Sequence, residues 1–168
     1  VWANATMNWN VVCSGGVGLG ALAIADARPD ICYQVLAYGV RGTEYYFDTF
    51  APDGGYDEGP GYWDYALKYT TMYLSALESA LGTDYNLSCA KGMEKTGSYI
   101  LALDSPEGSN GYHDGGSENR VLPWAFWLGK RFDDPGLTQA MRSRYQQFGN
   151  ASGYWVFNVL FYDSSVPD

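Results

Sequence analysis

The sequence holds a single histidine and only 10 lysines and arginines among 168 residues, against 19 acidic side chains, for a formal net charge of -9. Scarce positive charge argues against nucleic acid as a partner, because a phosphate backbone is held by a basic footprint. One histidine among scattered carboxylates offers no ligand spacing of the zinc kinds, so neither a metal nor another cofactor is implied. Cysteine is sparse too. The 3 thiols cannot all pair, and Cys13 and Cys32, placed on antiparallel helices, are offset by roughly 15 Å along the axis at 1.5 Å per residue. That is too far for a disulfide, so all three are expected as small buried thiols. No apolar run reaches the ~18 uncharged residues of a membrane span, and no signal peptide is legible.

Aromatic residues and glycine, in contrast, are plentiful: 15 Tyr, 6 Trp, 7 Phe and 21 Gly. A single domain of this length has a real core but limited room for rings. Many of them must therefore line a concave surface or sit half-buried, where they can stack on sugar rings or simply pack helices together. Asn4-Ala5-Thr6, Asn86-Leu87-Ser88 and Asn150-Ala151-Ser152 fit the glycosylation pattern, which matters only in a eukaryotic secretory setting.

The chain is organised around Ala51 to Tyr65, APDGGYDEGPGYWDY. Pro52-Asp53-Gly54-Gly55 stops one helix, and Gly59-Pro60-Gly61 turns the backbone before the next. A loop so rich in glycine, carboxylate and tyrosine is a natural place for chemistry. Before it, Trp9 to Ala27 predicts a helix buried on nearly all sides, its small residues letting neighbours approach closely. Gly16, Gly18 and Ala21 imitate a dinucleotide fingerprint, but no clean strand precedes them and no acidic residue closes a second strand. Arg28-Pro29-Asp30 starts a second, more polar helix carried by Ile31, Val35, Leu36, Tyr38 and Phe47 to about Phe50.

After the organising loop a third helix is expected from about Tyr62 to Leu81, stopped by Gly82. Asp84 or Asn86 can cap a fourth running to about Leu103. Asp104 to Ser117 forms a second Gly-rich loop. A fifth helix, Val121 to Phe132, and a sixth, Leu137 to Phe148, follow, and Tyr154 to Tyr162 is apolar enough to be either buried helix or strand. Alternation of buried and amphipathic helices suggests hairpins side by side, one helix of each pair inside. The first, third and fifth helices then run the same way, so the residues near Asn8, Tyr62 and His113 arrive at one end.

Asn8-Trp9-Asn10, the small-residue helix, DGGYDEGPGYWDY and the GYHDGG loop at Gly111 resemble the heparinase II/III-like polysaccharide lyases and their alginate-lyase relatives. The likeness covers about Met7 to Asp163, and DGG followed by EGPGYW is its most specific part. It implies an all-α fold, an incomplete α/α toroid of about three helical hairpins with inner and outer helices alternating. It also implies that residues 1–168 are one toroid portion of a longer chain. The rest of the toroid and the β-sandwich domain of such enzymes, or a self-association partner, would cover the open flank. The implied activity is β-elimination on an acidic, uronic-acid-containing polysaccharide in the periplasm or outside the cell, with no cofactor, nucleic acid or membrane involved.

That reaction removes a proton beside a carboxylate, so the enzyme must neutralise the carboxylate and place a base at the proton. An amide offers two uncharged donors. A tyrosine, ordinarily ionising at about 10, serves as base when its neighbours favour the anion, and can then protonate the leaving oxygen. By resemblance Asn8 takes the neutralising position and Tyr62 that of the catalytic tyrosine. Glu58, Trp9, Trp63, Tyr69 and His113 are possible orienting, subsite or second catalytic groups. Asn8 as a helix cap, Tyr62 as a packing ring and His113 as a loop anchor are the plainer alternatives. Two other functions stay open. One is a glycoside hydrolase pairing Asp57 or Glu58 with Asp114 or Glu118 across roughly 5 to 9.5 Å; the other is a non-catalytic carbohydrate-binding fragment.

Overall fold

The computed structural model describes residues 2–105, 108, 109, 111–113, 121–148, 160–162 and 164. Within them lie six α-helices: α1 (Asn8–Ala23), α2 (Pro29–Phe47), α3 (Pro60–Leu81), α4 (Thr96–Ala102), α5 (Pro123–Arg131) and α6 (Pro135–Phe148). Four of them start on proline, where the missing backbone N–H costs no intrahelical bond. Short 3-10 turns at Trp2–Asn4, Asp48–Phe50, Leu87–Cys89 and Met93–Lys95 fill the connections. The only pairing of extended backbone among the described residues sets Asp104 opposite Ser109 and Ser105 opposite Gly108. The chain is thus all-helical in class, as the periodicity predicts.

Helix α1 packs against both α2 and α3, α3 reaches α5, and α5 pairs with α6. Small residues make the first of these approaches possible. A Cβ at Gly18 would stand 2.5 Å from the Tyr73 ring, and one at Gly15 would stand 3.4 Å from the Tyr73 Cβ. Tyr73, fully buried, therefore crosses α1 where only glycine leaves room. The N-terminal turn folds over the same helices. The Asn10 side-chain amide donates to the carbonyls of Ala5 and Gly42, both at 2.8 Å.

The organising loop rests on an aromatic layer. The Tyr46 ring meets Phe47, Phe50 and Tyr56 edge-on at centroid distances of 5.2, 5.3 and 6.0 Å. Such ring pairs are each worth about 0.5–1.5 kcal/mol beyond the area they bury. The loop is bound downward as well, since the Gly54 N–H donates to the Phe50 carbonyl at 2.7 Å. The Thr96 hydroxyl donates to the Gly54 carbonyl at 2.9 Å. Gly59, at φ +86, sits where a Cβ would meet the Tyr112 carbonyl at 2.2 Å.

Three expectations need correction. The fourth helix does not run unbroken to Leu103: Asn86 and Gly92 adopt positive φ, so the segment is two 3-10 turns and the short α4. Asp84 accepts the N–H groups of Asn86 and Ser88 there, which caps a turn and not a helix. The first helix is not buried all round, because Trp9, Gly16, Val17 and Gly20 are exposed along one side. Nearly uniform apolar composition could not reveal which side would be left open. Nor are all the cysteines buried: Cys32 is, Cys13 is partly so, and Cys89 in its 3-10 turn is exposed, all three as free thiols.

A polar cluster fastens the end of α5 to the turn after α3. Arg131 donates to Glu78 at 2.7 Å, to buried Asp84 at 3.0 Å and to the Ser88 hydroxyl at 2.6 Å. The Ser88 hydroxyl in turn donates to Asp84. At the far end Tyr162 packs against Phe126 and Tyr145 with centroids 5.1 and 5.6 Å away. Residues 154–159 of the apolar run to which Tyr162 belongs lie outside the described residues, as do residues 106, 107, 110 and 114–117 of the second Gly-rich loop. Among the described residues no helix is long and apolar enough to cross a membrane.

Candidate functional site

The starts of α1 and α3 are joined by one carboxylate. The residue before α1, Met7, supplies no side-chain cap, which leaves the first N–H groups of the helix in need of acceptors. Glu58, in the last turn before α3, supplies one. Its Oε2 accepts the Asn8 backbone N–H at 2.6 Å and its Oε1 the Asn8 side-chain Nδ2 at 2.8 Å. The Tyr56 hydroxyl donates to the same Oε2 at 2.8 Å. Three donors thus converge on one carboxylate, placed where the positive end of the α1 dipole favours it.

A third segment reaches the same place. The Tyr112 hydroxyl donates to the Tyr56 carbonyl at 2.7 Å. That spends its only hydrogen, so Tyr99 is the donor in the 2.8 Å bond between the two phenols. Tyr56 consequently links two chains of hydrogen bonds, one through its hydroxyl to Glu58 and Asn8, the other through its carbonyl to Tyr112 and Tyr99. Burial pushes the Tyr56 phenol far above its ordinary range, and neighbouring Tyr46 and the bond to Glu58 push the same way. Burial and the bond to Tyr112 do likewise for Tyr99. Both are donors held neutral, unsuited to act as bases.

The sequence-derived candidates divide accordingly. Asn8, Glu58, the α3 start bearing Tyr62, and the segment of Tyr112 and His113 do share one end of the helices. Tyr62 is half-buried in the first turn of α3 and packs on the core. Asn8 is only 2 % exposed, with its amide nitrogen on Glu58 and its Oδ1 buried without a hydrogen-bond partner. Trp9, next in sequence, is 63 % exposed. His113 is exposed, with backbone φ of +53, and its ring lies 5.8 Å from that of Tyr112. Tyr69 stands about two turns into α3, its ring 5.4 Å from Tyr65, with the Lys68 ammonium over both.

Trp63 requires a correction. It is 0 % exposed, and its indole N–H donates to the Thr96 hydroxyl at 2.6 Å, so it anchors α3 to α4 and cannot line a subsite. Helical geometry gives the reason: Trp63 falls on the α3 face shared with Ala66, Leu67, Thr70 and Leu74, all buried. Asp114 and Glu118, which a paired-carboxylate mechanism would recruit, lie outside the described residues.

Tyr56, Tyr99 and Tyr112 escaped the sequence reading. Tyr56 and Tyr112 each stand in a glycine-flanked loop, a faint signal, and Tyr99 carries none. No group of three or more His, Cys, Asp or Glu among the described residues could hold a metal ion. The sequence matches no family model and no curated protein.

Proposed function

We propose that this end of the helices is the substrate end of a polysaccharide lyase, cleaving a uronic-acid-containing polymer by β-elimination with Tyr62 as base and acid. One observation carries the reading: Asn8, Glu58 and Tyr112, far apart in sequence, are hydrogen-bonded into one network beside the first turn of α3. In this reading α1, α3 and α5 are inner helices of a partial α/α toroid. The exposed side of α1 is covered by further helices of a longer chain or by a second copy. Glu58 then holds Asn8 in place, and the second hydrogen of the Asn8 amide, unused in the bond to Glu58, is the donor for the uronate carboxylate.

The test is growth of the ultraviolet band of the unsaturated product when the protein is incubated with alginate, heparin-like or other uronate polymers. Activity lost in Tyr62→Phe with helix content intact supports the reading, and no unsaturated product from any such polymer, with the longest natural chain containing this sequence, overturns it. The enclosure of Asn8 favours a second reading, a carbohydrate-binding portion without chemistry. It requires that these polymers bind at the Trp9 end without being cut.

A further inference from the structure

A cleft of about 570 Å³ lies between α2 and the end of α3, at the opposite end of α3 from Tyr62. It is lined from α2 by Cys32, Leu36, Val40 and Arg41, and from the last residue of α3 and the turn after it by Leu81 and Tyr85. Cys32, Leu36 and Val40 recur every four residues, which puts them on one face of the helix. Cys32 and Leu36 are buried, whereas Leu81 and Tyr85 are 43 % and 49 % exposed, so large apolar groups border the cleft with part of their surface still in water. From Cys32 to Arg41 the helix rises about 14 Å at 1.5 Å per residue. The lining is therefore elongated.

A single charge meets this apolar lining. Arg41 is exposed and is the only charged side chain among the lining residues. Arg28 is held by Asp30, and Arg131 by Glu78 and Asp84. The Arg41 side chain, in contrast, makes no ion pair or hydrogen bond with any described residue. In a chain of net charge -9, an anion is drawn only to a local excess of positive charge. A guanidinium presents two parallel donors that match the two oxygens of a carboxylate. The volume falls within the roughly 300–1,000 Å³ of small-molecule pockets, which are mostly apolar with a few polar groups that fix orientation. Such a lining suits a hydrocarbon chain, whose transfer from water needs no hydrogen-bond partners, over a hydroxyl-rich sugar, whose polar groups would go unpaired.

We propose that this cleft binds a medium-chain fatty acid, one per protein, with its chain laid along Cys32, Leu36 and Val40 against Leu81 and Tyr85 and its carboxylate paired with Arg41. The site stands apart from the Asn8–Glu58 end and needs no cleavage there.

Isothermal titration calorimetry on the whole chain tests this. Decanoate, below its micelle-forming concentration, is the probe; decanol supplies the chain without the charge, and acetate the charge without the chain. Decanoate is expected to bind saturably at one site, and decanol and acetate more weakly. Arg41→Gln, which removes the partner of the carboxylate at an exposed position, should weaken decanoate about threefold to tenfold with helix content unchanged. Ala37, also exposed, lines the same cleft, and Ala37→Trp should abolish binding by laying an indole across it. Absence of saturable binding, decanol or acetate bound as tightly as decanoate, binding unaltered in either variant, or association with phosphatidylglycerol vesicles in place of the free acid would each overturn the proposal.

Discussion

Glu58 caps α1 from 50 residues away, accepting both the backbone N–H and the side-chain amide of Asn8 at 2.6 and 2.8 Å. Helix caps are ordinarily local, supplied by the residue just before the first turn. Here the cap comes from the loop that begins α3, so the helix start and the loop are ordered together. Glu58→Ala should therefore cost about 1–3 kcal/mol, read as a lower denaturant midpoint. In a double-mutant cycle with Asn8→Ala, coupling close to zero would show that the two residues do not act as a pair.

Alkaline pH should unfold the protein through its buried phenols. Tyr73 is pushed up from its ordinary 10.0 to about 12, by burial and then by Tyr85, and Tyr46, Tyr56 and Tyr99 move upward as well. Unfolded chains release these protons near 10 while the native protein keeps them. The stabilisation is thus complete below about pH 10 and is lost as pH rises through about 12. Tyrosinate absorbance and helix content followed together should show a fraction of the 15 tyrosines ionising only as the helices melt. Smooth titration of all of them near 10 with helices intact would contradict this.

Arg131→Met should be severe for a residue near the surface. It strips Asp84, which is buried, and Ser88 of their shared guanidinium while leaving the carboxylate in place. Removing one partner of a buried pair costs about 3–5 kcal/mol, and partial exposure of Arg131 places the expected loss at the lower end. A double variant, Arg131→Met with Asp84→Asn, should recover part of it, since the stranded charge is gone. A fall in melting temperature no larger than for Lys91→Met, on an exposed loop, would show that the cluster does not hold α5.

Gly18→Ala places a methyl group against the Tyr73 ring, and overpacking of this kind costs about 1–3 kcal/mol. The second substitution Tyr73→Leu should relieve it. If Gly18→Ala is equally harmful with and without the tyrosine, the glycine serves the backbone and not the ring.

Much of the helical frame was readable from local chemistry. Pro29 announced a helix start, and Gly82 stops α3 in the left-handed conformation at φ +73, although Pro60, read as part of a turn before a helix at Tyr62, is already the first residue of α3. The meeting of Asn8 with the loop before α3 followed from helix order alone. What escaped was set by tertiary contact. Asp84 suggests a helix cap by type, yet the positive φ of Asn86 and the approach of Gly92 to the Phe50 carbonyl break the segment. Trp63 sits beside a reactive-looking loop in sequence, yet the turn of α3 directs it at Thr96. The cap by Glu58 could not be foreseen, because side-chain pairing across 50 residues leaves no periodic trace.

Tyr56 offers its two ends to different neighbours, its carbonyl to Tyr112 and its hydroxyl to Glu58. A single residue thereby fastens the second Gly-rich loop and the carboxylate at the start of α1 to one short turn.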